Sequence, residues 1–358
     1  MRLCDVTLRE AAQRPGREYS PDDRVTAGIA LDELGVSLLQ AGYPAAGEPD
    51  AETVRRLSAS AAADIVAIAR AVSDDVEAAA AADTDIVEVF VPISDVQLEH
   101  VYGDDRAAAF DAAEAALLRG REMGLDVRLT LMDAFRAEPS DIAAAFGRFD
   151  CPIVLSDAVG ARTPPFVVGF LRTLAESGID LDRAGVHFHD DLGCATANAI
   201  VAAQIGIDRI DASVAGIGER AGNPAIEELI VAAETRGEAT GVDSDRLIPT
   251  CETVLDALDE PIDDRKAILG ADAVTHEAGL HTDAMLSDPS TFESFDPSAF
   301  GGRRRLVFGS ATGRGAARQL LERVDRSPTE ADIDRLLERL EAEGPIELDA
   351  ALELAEVV

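Results

Sequence analysis

Eight short apolar runs, each followed by a stretch with helical spacing, recur through the first two thirds of this 358-residue chain, and no other feature narrows the fold as much. The runs cover residues 3–8, 38–42, 65–69, 86–91, 127–131, 153–155, 185–189 and 209–214. They are largely apolar along their length instead of alternating with polar residues, the pattern of strands covered on both faces. Helical spacing lies between them, for example over 22–34, 51–59, 104–123, 164–176 and 224–236, several opened by Pro or Asp. Eight such repeats in roughly 240 residues predict an α/β fold, a closed (β/α)8 barrel. An open doubly wound sheet is the competitor, but no G-x-G-x-x-G turn follows the first run. Past residue 240 the alternation stops. The sequence therefore divides into a barrel over 1–240 and a helical extension over 241–358, which is expected to fold back on the barrel or on a neighbouring subunit.

Two of the five histidines stand one residue apart in GVHFHDDLG, residues 185–193. On a strand, positions two apart face the same side, so His187 and His189 present both imidazoles to one point. A bare H-x-H is as readily a pair of satisfied core histidines. Here the pair ends a strand, where a barrel keeps its chemistry. The first run leads into Arg9 and Glu10, and the last into GIGERAGN with Asn223. Strands one, seven and eight of a closed barrel are near neighbours. Glu10, His187, His189 and Asn223 are thus expected to converge on one divalent cation, a donor set suited to Mg2+, Mn2+, Zn2+ or Fe2+. Arg9 can hold a carboxylate in fork geometry, although an isolated Arg–Glu pair would be read as a solvated ion pair.

Charge and cysteine usage exclude several partners. With 68 acidic against 32 basic residues the net charge is −36, which argues against nucleic acid and anionic membrane. Lys266 is the sole lysine and tryptophan is absent, a composition expected of a surface tuned to high intracellular salt. Cys4, Cys151, Cys194 and Cys251 are widely spaced, with no C-x-x-C and no signal peptide, and are expected to be reduced thiols in cytoplasm. No apolar stretch approaches the ~20 residues that span a bilayer.

Taken together, DVTLREAAQRPG, LLQAGYPAAGEPD, HFHDDLGCATANA, GIGERAGN, HEAGLHTDAML and FGGRRRLVFG resemble the DRE-TIM metallolyases. Within that family the resemblance is to the acyl-CoA-condensing synthases of homocitrate, 2-isopropylmalate and citramalate, and most to homocitrate synthases of the NifV type. It implies that Glu10, His187 and His189 bind a divalent metal with Asn223 at or near it. It also implies that Arg9 stabilises an enolate or substrate oxygen, and that His281, from the extension and often from the partner subunit, moves a proton, with His276 as the competing candidate. The implied reaction is a Claisen-type condensation of acetyl-CoA with a 2-oxo acid, ending in thioester hydrolysis and release of CoA. A homodimer exchanging its extensions is expected.

Several positions depart from the family pattern. Ala11, Ala12 and Gln13 replace G-E-Q, Gln40 replaces the acid of I-E-A-G, and Met132–Asp133 stands where relatives carry an acidic pair. Ala158, beside Asp157, replaces a threonine that touches the 2-oxo acid, and residues 309–313 replace G-K-H-S-G. A retained metal centre with a reshaped substrate pocket follows, with Asp133 or His281 carrying the proton. Gln13 and Asp157 are expected at the substrate, and Arg70 and Arg136 are the strand-end candidates for gripping a second carboxylate. Residues 94–105 hold no Arg or Lys, which disfavours 2-oxoglutarate. The alternatives are a metal-dependent C–C lyase or aldolase on the same barrel, or a catalytically weakened relative serving as a binding protein. GIGERAGN lacks the cysteine expected of the hydroxymethylglutaryl-CoA lyase branch.

Overall fold

The computed structural model describes all residues, Met1–Val358, in two compact units. The first comprises Met1–Asp243 with Thr250–Pro261, and the second Ser244–Pro249 with Ile262–Val358. The first unit is a closed barrel of eight parallel strands in sequence order: β1 (Arg2–Asp5), β2 (Leu38–Gly42), β3 (Asp64–Arg70), β4 (Ile86–Pro92), β5 (Asp126–Met132), β6 (Ile153–Asp157), β7 (Ala184–Phe188) and β8 (Arg209–Ala212). β1 closes the cylinder by pairing with both β2 and β8. This is the (β/α)8 barrel that the eightfold alternation predicts.

Local chemistry explains where the helices start and stop. Over Pro21–Leu34, Ser20 and Asp23 form a reciprocal capping box, Pro21 occupies the first turn, and Gly35 ends the helix at φ 94°. Gly28 in that helix is a close-packing position: a Cβ there would lie 2.8 Å from a Leu57 methyl.

The first apolar run does not continue as a strand to residue 8. β1 ends at Asp5, and Thr7–Ala11 is a short helix. The Asp5 carboxylate accepts from Thr7 N–H at 2.9 Å and from Thr7 Oγ1 at 2.7 Å, turning the chain. Thr7 Oγ1 in turn accepts from Val214 N–H at 2.9 Å, which ties this turn to the exit of β8. Arg9 and Glu10 therefore project from a helical turn and not from a strand edge.

The second unit holds a three-stranded sheet in the order β11 (Ile346–Glu347), β10 (Arg305–Phe308), β9 (Thr275–His276). Helices Gly279–Ser287, Arg314–Arg323, Glu330–Glu343 and Leu348–Glu356 belong to the same unit. Met285, Phe308, Leu320, Leu336 and Leu340 form much of its buried core. The helix that begins at Glu330 ends at Glu343, before Gly344–Pro345, because a proline disfavours helical backbone at the preceding residue. The four cysteines are free. No helix is long and apolar enough to cross a membrane.

Candidate metal centre

The turn after β1 and the end of β7 bring three buried side chains together. Donor atoms of Glu10, His187 and His189 all lie within 4.8 Å of one another. Glu10 Oε1 is 3.3 Å from His187 Nε2. The two imidazoles, one on β7 and one just past its end, have centroids 5.1 Å apart. Asn223 joins them, with Nδ2 3.5 Å from His187 Nε2 and donating to Phe188 O at 3.1 Å. Gly218 makes room for that amide, since a Cβ there would fall 2.1 Å from Asn223 Oδ1. Arg9 forms an ion pair with Glu10, and its Nε donates to Gln40 Oε1 at 2.6 Å and its Nη1 to Gln13 Oε1 at 3.2 Å.

Electrostatics divide the two histidines. Burial works against charge on His187, but hydrogen bonds to Asp211 and Glu10 outweigh it and raise its pKa to about 9. For His189, burial and then the neighbouring His187 lower it to about 4. Burial by itself would raise the Glu10 carboxyl, yet Arg9 and then His187 hold it well below the usual carboxylate range. His189 is thus a neutral imidazole and Glu10 an anion at pH 7. Two buried polar atoms beside them, His189 Nδ1 and Asn223 Oδ1, have no hydrogen-bond partner. Leaving such groups unsatisfied is costly. An anionic oxygen, a neutral imidazole and an unpaired amide oxygen around a second imidazole fit the mixed N/O donor set of a divalent cation.

Behind this cluster runs a ring of contacts that the sequence did not reveal. Gln40 Nε2 donates to Glu88 Oε1 at 3.1 Å, and Glu88 Oε2 pairs with Arg209 Nη1 at 2.7 Å. Arg209 Nε donates to Asp211 Oδ1 at 2.9 Å, and Asp211 Oδ2 lies 3.2 Å from His187 Nδ1. His187, Glu10 and Arg9 then complete the circuit back to Gln40. Asp211 fixes the His187 ring so that Nε2 faces the cluster, a frequent support for metal-binding histidines. The available signal was a charged residue at every second position of β8 and a lone Glu88 inside the apolar run of β4, both pointing into a barrel interior.

A cavity of about 320 Å3 opens above the ring, lined by Arg9, Glu10, Gln13, Gln40, both histidines, Asp211 and Glu219, with Ile68, Phe90, Met132 and Ala158 among its apolar lining. Other candidates lie elsewhere. Arg70 grips Asp75 through Nε and Nη2, each at 2.8 Å, and is not part of the lining. Arg136 Nε donates to Asp133 at 2.7 Å, and Ser94 Oγ donates to the same buried carboxylate. Asp133 adopts φ 61° at the β5 exit, and these two partners hold its side chain there. Asp157 is buried and accepts from the Arg162 and Ala161 amides at 3.0 and 3.4 Å, organising the loop after β6. His281 belongs to the second unit, where it stacks on Phe292 with centroids 4.0 Å apart.

Comparison with known proteins gives the same picture of kinship. The HMGL-like family profile matches residues 1–254, and the homocitrate synthase post-HMGL domain-like profile matches 268–345. The homocitrate synthase AksA of Methanopyrus kandleri is 34% identical over 348 residues, spanning 96% of this chain and 87% of that protein. The 2-isopropylmalate synthase of Methylobacterium nodulans is 32% identical over 357 residues, spanning 95% of this chain and 68% of that one. The crystal structure of hydroxymethylglutaryl-CoA lyase from Pseudomonas aeruginosa superposes with a TM-score of 0.65 at 22% identity, covering 73% of this chain and 93% of the lyase, a likeness of fold. By the extent of these matches, the chain belongs to the HMGL-like family.

Proposed function

We propose that this protein is a divalent-metal-dependent synthase that condenses acetyl-CoA with a 2-oxo acid lacking a second carboxylate. The observation that carries the reading is the convergence of Glu10, His187 and His189, with unpaired donor atoms, beside a cavity whose lining holds one arginine, Arg9, and no lysine. Glu10, His187 and His189 would hold the cation, with Asn223 Oδ1 positioned as a further oxygen donor. A cation there would supply Lewis-acid polarisation of the keto group.

The chain's own residues carry the remaining steps. Arg9, fixed by Glu10, Gln40 and Gln13, keeps its guanidinium preorganised for negative charge developing on the thioester oxygen. Loss of a methyl proton from acetyl-CoA gives the nucleophilic carbon, which bonds to the keto carbon of the acid. Water then cleaves the thioester, and CoA leaves as the thiol. Asp133 is engaged by Arg136 and Ser94 and stands second to His281 as the proton acceptor. His281 is the proposed proton carrier, with a side chain type suited to transfer near neutral pH.

Substrate choice follows from the lining. With Arg9 given to the thioester oxygen, a second carboxylate would meet Glu88 and Glu219 with no further arginine or lysine to receive it, whereas Ile68, Phe90 and Met132 suit a short apolar substituent. The test is free-thiol release from acetyl-CoA with pyruvate, 2-oxobutyrate, 2-oxoisovalerate or 2-oxoglutarate, with and without chelator, in concentrated KCl. Chelator-sensitive release that favours the monocarboxylic acids is expected. Release indifferent to chelator, or none with any acid, contradicts the reading.

A further inference from the structure

The opposite end of the barrel holds a second cavity, of about 290 Å3, at the N-terminal ends of β1 and β5–β8. Four guanidiniums line it: Arg2, Arg128, Arg183 and Arg209. Three are engaged. Arg2 pairs with Asp208, Arg183 donates to the carbonyls of Phe149 and Cys151 at 2.6 and 3.2 Å, and Arg209 is held by Glu88 and Asp211. Arg128 is not. It lies on β5 at the same strand phase as Thr130, whose hydroxyl reaches Glu88 in the barrel interior, so its side chain also points inward. Its Nη1 is buried without a hydrogen-bond partner, and no carboxylate reaches it within ion-pair distance. The nearest acids, Glu88 and Asp211, are occupied by Arg209, whose own charge repels it.

This is a costly arrangement. An arginine stays charged at any ordinary pH, and although Arg128 is only half-buried, its Nη1 is cut off from solvent without a partner, so part of its desolvation cost is uncompensated. In a chain with 68 acidic residues, local carboxylates were abundant, yet this guanidinium faces a cavity and not one of them. Asp150 and Asp182 also line the cavity, but both are exposed at its rim, where water screens them.

We propose that this cavity binds a small monovalent anion of the halide class against the Arg128 guanidinium. Arg128 is the one guanidinium of the cavity without an acid or carbonyl partner, so a single negative charge suffices to neutralise it, which sets the charge limit. The site lies on the barrel face associated with stability and not chemistry, so the anion stabilises the fold by mass action.

The test compares thermal unfolding of the full chain in potassium chloride, glutamate and phosphate at matched pH and ionic strength, for wild type and Arg128→Met. The wild type is expected to gain about 2 °C or more in chloride over glutamate. Arg128→Met should lose that difference while keeping the general response to ionic strength. Phosphate should give no excess of wild type over variant, and an excess equal to that of chloride would overturn the monovalent assignment. An equal chloride increment in both proteins overturns the site. Should Arg128→Met not fold, crystals of the wild type grown in bromide decide: an anomalous peak against Arg128 supports the site, and a bromide-free cavity refutes it.

Discussion

Across the barrel mouth, two sets of charged residues have opposite fates. On the side of β1, β7 and β8, Glu10, His187, His189 and Asn223 meet with His189 Nδ1 and Asn223 Oδ1 left unpaired. At the ends of β3, β5 and β6, Arg70, Asp133, Arg136 and Asp157 are taken up by Asp75, by each other or by backbone amides. Both sets sit at strand ends, where a barrel keeps its reacting groups. What separates them is that two donor atoms of the first set, His189 Nδ1 and Asn223 Oδ1, have no protein partner, whereas the groups of the second set are engaged.

The largest effect expected from breaking this contrast comes from the unpaired side. Glu10→Ala or His187→Ala should each lower Mn2+ affinity by more than about 100-fold, beyond the usual loss from an outer partner, with the far-ultraviolet circular dichroism unchanged. Unaltered Mn2+ affinity in both variants would erase the distinction between the two sides. Asp211→Asn tests the support behind His187 and should cost about 10–100-fold in the same titration, because the ring loses the partner that orients it.

Protonation sharpens the comparison further. His187 is raised from an ordinary 6.5 to about 9 in the cation-free fold, where burial is outweighed by Asp211 and Glu10. Its stabilising charge is therefore fully present below about pH 6.5 and disappears as pH rises through about 9. A cation requires the neutral ring, so binding at pH 7 should expel about one proton, and well above pH 9 almost none. Calorimetry in buffers of differing ionisation heat measures this, and zero release at pH 7 would remove His187 from the ligand set.

The smallest effects belong to the satisfied side. Arg136→Met leaves the buried Asp133 carboxylate without its main partner and should cost about 1–2 kcal/mol in urea unfolding, since the guanidinium is itself partly exposed. The KM for the 2-oxo acid should stay within about twofold, because neither residue lines the cavity. Arg70→Ala should leave that KM unchanged. A large rise in KM in either variant would return these arginines to the substrate.

The same contrast explains what the sequence could and could not disclose. The strands are visible as apolar runs, and they end before the runs do where a side chain, such as Asp5 accepting from Thr7, turns the backbone earlier than hydropathy indicates. The candidate metal cluster is legible because period-two spacing at the end of β7 and the adjacency of strands one, seven and eight are properties of the fold class. Glu88, Arg209 and Asp211 were missed because the first pairs with a residue 121 positions away across the barrel, a contact with no local trace. Arg70 and Arg136, expected at a second carboxylate, are instead found paired with neighbouring acids. Asp75 lies five residues past Arg70 and Asp133 three before Arg136, so local acids able to occupy them were in plain view.

The most direct test of the account is a crystal structure of the protein soaked in Mn2+, with anomalous differences recorded at the barrel mouth. One full-occupancy peak is expected at roughly 2.0–2.3 Å from a Glu10 carboxylate oxygen and from a nitrogen of each of His187 and His189. A chelator-sensitive enzyme whose Mn2+ peak lies away from these three residues would contradict it.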